Sequence, residues 1–145
     1  GSNLESDCSE QVRASGDAAA TALRQEKKVA QALRGNDESE ILEATNESHV
    51  LWNAAGLAST DLAEYCDNST ISENMLAFGK AAWSIGSATS DLGVALTEND
   101  RAAFRAAIVI RQAGEVVAAE NAERRGPGLE RPSCHIPCKR NGQGK

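Results

Sequence analysis

The residues best equipped for chemistry lie near the C-terminus, in Cys134-His135-Ile136-Pro137-Cys138, where two thiols flank an imidazole. Cys8 and Cys66 bring the thiols to four. Such a set can bind zinc, attack an electrophile or form two disulfides. The Cys-x3-Cys spacing is loose for a zinc knuckle, and the other two thiols are far away in sequence. A nucleophilic thiol needs a histidine held against it by the fold, and His135 is only a chain neighbour of Cys134. An even number of cysteines with few aromatics reads instead as two disulfides. That places the chain in an oxidising compartment: extracellular, cell-surface or periplasmic.

Other chemistries lack their residues. A di-iron bundle needs Glu three positions before His, but Asn46 precedes His49 and Pro132 precedes His135 at that offset. A covalent haem needs Cys-x-x-Cys-His, which the C-terminal cluster does not supply. As a haem-ligand pair, His49 and Met75 would stand roughly 18 Å apart along neighbouring helices at 1.5 Å per residue. Gly-rich phosphate loops, His-Glu-x-x-His and Gly-x-Ser-x-Gly are all missing. The expectation is no catalytic residues, no cofactor, no metal and no enzyme. His49 reads as packing, and Ser48 and Thr89 as hydroxyls bonded back to helix carbonyls. Glu26 falls on an apolar stripe and is expected to snorkel outward rather than pair inside with Lys27 or a neighbouring arginine.

These residues sit on four long periodic segments with short breaks between them. The first runs from about Ser6 to Arg34 and stops at Gly35-Asn36. The second starts near Asp37 and ends near Cys66, the third runs from Thr70 to about Thr97, and the fourth starts within 97–100 and stops at Gly126-Pro127-Gly128. Segments of similar length and links of three to five residues predict an all-α, up-down-up-down antiparallel four-helix bundle. Residues 1–5 are expected to be an expression scar (Gly1-Ser2) and lead-in, 6–126 the bundle, and 127–145 an irregular basic tail, tethered by disulfides and folded back on the bundle end.

The expected core seams follow four-three spacing. The third segment offers Ile71, Met75, Phe78, Ala82, Ile85, Thr89, Leu92 and Leu96; the second, Ile41, Ala44, Ser48, Leu51, Ala55, Ala58, Leu62 and Tyr65. The fourth offers Ala103, Ala106, Ile110, Ala113 and Val117, and the first Val12, Gly16, Ala19, Leu23, Glu26, Ala30 and Leu33. Gly79, Gly86 and Gly93 recur every seven residues near the seam of the third helix, which points to close contact with a partner helix. Counting from the links puts Trp52, Gly56, Trp83, Gly86 and Gly114 at about one level, a layer that is either closely packed or a ligand pocket. Cys8 and Cys66 fall at one end of the bundle, where the tail returns. The favoured scheme bridges each to one of Cys134 and Cys138; the alternative is Cys8–Cys66 with Cys134–Cys138.

The net charge of −6 combines an acidic body, −11 over residues 1–123, with a basic tail, +5 over 124–145. An acidic body repels phosphate backbones, which argues against nucleic acid as a partner. The longest apolar run, Ala106 to Ile110, is far too short to span a bilayer, although an anchor beyond either end is compatible with the chain. Sequons at Asn46 and Asn68 would put glycans on the second helix and in the second link. The first expectation is therefore an extracellular or cell-surface helical bundle that acts by binding or shielding, as surface antigens, coats or receptors do. In alanine-rich composition it is similar to helical coat and receptor proteins of protozoan parasites, a likeness that no motif carries. The competing readings are a ligand-sensing domain of a membrane receptor and a secreted carrier of a small apolar ligand. The partner, protein or small molecule, is unspecified, and oligomerisation is left open.

Overall fold

A computed structural model describes residues 8–123 as four α-helices, α1 (Ser9–Arg34), α2 (Glu38–Ala63), α3 (Ser69–Thr97) and α4 (Arg101–Glu123). Links of three, five and three residues reverse the chain each time, so α1 packs on α2, α2 on α3 and α3 on α4, up-down-up-down. The chain is an all-α four-helix bundle. The tail expected at 127–145, with Cys134 and Cys138, lies outside the described residues.

Local chemistry sets the helix starts. The Asp37 carboxylate accepts from the Ser39 and Glu40 amides at 2.9 and 3.3 Å and so caps α2. α3 starts at Ser69, one residue before the expected Thr70, so Thr70 lies inside the helix and is not its cap. Its cap is Asn68, whose Oδ1 accepts from the Thr70 and Ile71 amides at 3.0 and 3.2 Å. Asp100 Oδ1 accepts from the Ala103 amide at 3.0 Å at the start of α4. Asn99 before it takes φ 61°, a left-handed conformation that Asn tolerates better than most residues.

The core forms three layers along the bundle. Cys8, Val12, Ala63, Cys66 and Met75 fill one end; Val29, Ala32, Ile41 and Ala44 fill the other. Between them all four helices contribute: Ala19 and Ala22, Trp52 and Ala55, Phe78, Ala81, Ala82 and Ile85, and Ala118. α3 is the central helix and buries its expected seam from Met75 to Leu92 without a break.

Other seams differ from expectation. In α1, Ala30 is exposed and Val29 buried, with Ser15 and Ala22 inside in place of Gly16 and Leu23. Tyr65 lies beyond the end of α2 and is exposed. In α4 the whole expected seam, Ala103, Ala106, Ile110, Ala113 and Val117, faces solvent, while Ala107, Gly114, Ala118 and Asn121 are buried. The reason is close approach. At Gly114 an added Cβ would stand 3.0 Å from Ile85 Cγ1 and 3.3 Å from Ala81 O, so the small face of α4 lets it settle onto α3.

Candidate functional site

The most polar part of the interior is built on Glu26, which is 6% exposed in the middle of α1. The outward disposition expected for it is therefore wrong; it is the buried acid paired with an arginine from a neighbouring helix. Its Oε2 accepts from Trp52 Nε1 of α2 at 3.0 Å, and its Oε1 is ion-paired with Arg111 Nη2 of α4. Arg111 Nε donates to Thr89 Oγ1 of α3 at 2.9 Å, and Nη1 meets Glu115 Oε2 one turn further along α4, also at 2.9 Å. Thr89 in turn donates to the Ile85 carbonyl at 2.6 Å, the back-bond expected for it, whereas Ser48 Oγ, expected to do the same, is buried without a hydrogen-bond partner among the described residues. One cluster thus ties all four helices together.

Its electrostatics follow from burial. Leaving water pushes the Glu115 carboxyl above its usual range; Arg111 pulls it back and Glu26 adds to the rise. Both oxygens of Glu26 and all three nitrogens of Arg111 have protein partners, so the cluster is spent on holding the helices. Arg111 and Glu115 were missed in the sequence, although a signal existed. Counted from the bundle end where α1 and α3 finish and α4 begins, Glu26, Thr89 and Arg111 lie within about three residues of one level, taking the helical rise as equal in each.

The glycine and tryptophan layer is a helix–helix contact. An added Cβ on Gly56 would stand 2.9 Å from Gly79 O and 3.0 Å from Trp83 Cδ1; one on Gly79 would stand 3.0 Å from Gly56 O. One on Gly86 would meet Trp52 Cβ at 2.9 Å and His49 O at 3.1 Å, and Gly93 faces Thr45. Gly79, Gly86 and Gly93 all abut α2, whose backbone at the first two and Thr45 side chain at the third fill the space where a ligand or second subunit would have to enter. The tryptophans share a level but not an environment. Trp52 is buried, whereas Trp83 is 36% exposed and lies over Gly56 on the outside of the α2–α3 contact. Gly114 belongs to the α3–α4 contact, against Ile85 and Ala81.

At the bundle end Cys8 and Cys66 are joined to each other, their Cα atoms 5.4 Å apart. This corrects the favoured pairing. α1 and α2 are adjacent and antiparallel, so the start of one and the end of the other are already within disulfide reach, and neither sulfur remains for Cys134 or Cys138. Nearby, Ser15 and Ser59 share a buried hydrogen bond of 2.5 Å between the same two helices. Of the sequon residues, Asn46 is exposed on α2 but its Ser48 is fully buried, and Asn68 spends its carbonyl oxygen capping α3.

Two surface features remain. A shallow open depression lies at the α3–α4 turn, lined by Leu96, Asn99, Asp100 and Phe104 among others. The outward face of α4 carries Val109, Ile110, Val116 and Val117 at 64, 51, 58 and 39% exposure, with exposed Ala102, Ala103, Ala106 and Ala113 between them. No described helix is long and apolar enough to cross a membrane. Compared with known proteins, the chain matches no family model, no curated protein and no solved structure.

Proposed function

We propose that this chain is an extracellular, cell-surface or periplasmic helical bundle that works by binding at its outer surface, or by shielding what lies beneath it, and not by catalysis. The observation that carries the reading is a contrast between inside and outside. Inside, the ionisable groups that cluster are engaged with one another, and glycine contacts bring α2 and α3 together at backbone distance. Outside, α4 offers solvent an uncharged apolar face from Ala102 to Val117, a feature that marks contact surfaces. The Cys8–Cys66 bond agrees with an oxidising compartment, where such bonds persist.

The experiment titrates the Trp83→Phe variant with haem, fatty acids and amino acids while following fluorescence, so that buried Trp52 alone reports. Surface binding expects no saturable change. A saturable one-to-one change would replace this reading with that of a carrier or sensor. Labelling intact expressing cells with a membrane-impermeant amine reagent tests the compartment, and a chain that stays unlabelled until lysis counts against surface exposure.

A further inference from the structure

We infer that the occupant of the exposed α4 face is a second copy of this chain, its α4 laid antiparallel against the first. The inference rests on the surface-binding reading and names the partner for that face.

The stripe has the form of a coiled-coil seam. Ala103, Ala106, Ile110, Ala113, Val117 and Glu120 follow strict three-four spacing, and all are exposed. Alternate members form two rows of different size. Ala103, Ile110 and Val117 make the larger row, and Ala106, Ala113 and Glu120 the other. In a parallel pair each row meets its own copy. Ile110 would oppose Ile110 of the second copy, Ala113 would oppose Ala113, and the Glu120 carboxylates would face each other, giving alternating wide and narrow layers with a like-charge contact. In an antiparallel pair each row meets the other row. Ile110 then packs on Ala113 of the second copy and Val117 on Ala106, each twice by symmetry, and Glu120 falls at the edge over Ala103. Large meets small in every layer, so two α4 helices can approach evenly along about 25 Å at 1.5 Å per residue.

The size fits a reversible dimer. The exposed part of this face is on the order of 500 Å² per copy, so a pair buries about 1,000 Å², the lower end for specific interfaces. The stripe between Ala102 and Val117 bears no charge, so two copies of a chain with net charge −6 do not repel across it. Isologous pairing also closes on itself, covering the face in both copies without leaving a second one open.

The test is sedimentation of the full chain from about 5 to about 500 µM, the range in which an interface of this size associates. The average mass is expected to rise from 15.3 kDa toward twice that value. Ile110→Glu and, separately, Ala106→Glu should hold it at 15.3 kDa with unchanged helicity and thermal unfolding, since both positions face solvent. Orientation is read by mixing Val117→Cys with Ala106→Cys chains under mild oxidation and mapping the linked peptides. Links between 117 and 106 are expected. A mass that stays at 15.3 kDa, a dimer that survives both glutamates, or links of 117 to itself would each overturn the inference. A monomer throughout would leave the ligand titration above to decide the broader reading separately.

Discussion

Arg111 of α4 reaches Glu26 of α1 inside the bundle, although no described Cα atoms of these two helices lie within 8 Å of each other. The bundle is therefore closed in two ways. α2 and α3 meet through glycines at backbone distance; α1 and α4 meet through long charged side chains. The second kind of closure depends on both charges being present.

Arg111→Ala leaves the Glu26 carboxylate buried without its counter-ion, and should destabilise the fold by about 3–5 kcal/mol in denaturant unfolding. The double variant Glu26→Leu/Arg111→Met, which removes both charges, should lose far less than the two single variants combined. Additive losses would show that the pair is not energetically coupled.

Glu115 adds a pH dependence of definite sign. Its carboxyl sits above the usual range in the fold. Its contribution to stability is therefore full in acid, below the unfolded value, and is lost as pH rises through the folded value. Relative to wild type, Glu115→Gln should gain melting temperature between pH 4 and pH 8. A gain in the opposite direction would mean that Arg111, not burial, dominates this carboxyl.

The glycines separate packing from helix propensity. Nothing stands within 4 Å of a Cβ placed on Gly16, so Gly16→Ala should stabilise by about 0.5–1 kcal/mol. Gly86→Ala runs into Trp52 Cβ and the His49 carbonyl, neither a flexible side-chain end, and should destabilise by about 1–3 kcal/mol. Gly86→Leu should be worse still, and unchanged melting there would contradict close α2–α3 packing.

The Cys8–Cys66 bond joins positions 58 residues apart. Replacing both with alanine should lower stability by about 4 kcal/mol in the chain-entropy model. Peptide mapping of a non-reduced digest should recover Cys8 linked to Cys66, and a Cys8 link to Cys134 or Cys138 would contradict the bond.

The sequence by itself determined the helices, their order and the seam of α3. Caps such as Asp37 act within a few residues, and Met75 to Leu92 form one continuously buried stripe, apolar except at Thr89. α4 was different because it has two stripes. The Ala103–Val117 stripe is more apolar and more regular, yet the interior took the one containing Ala107, Arg111 and Gly114. Hydrophobicity ranks residues one helix at a time. It does not register that Gly114 admits the backbone of α3, or that buried Glu26, 85 positions away, needs Arg111. The cysteine pairing shares this limit: four cysteines allow three pairings, and the nearness of Cys8 to Cys66 exists only once α1 lies along α2. Short-range hydrogen bonding and apolar periodicity are properties of a local segment. Which of two faces turns inward, and which distant groups become neighbours, depends on how closely the helices approach, and that only the assembled bundle decides.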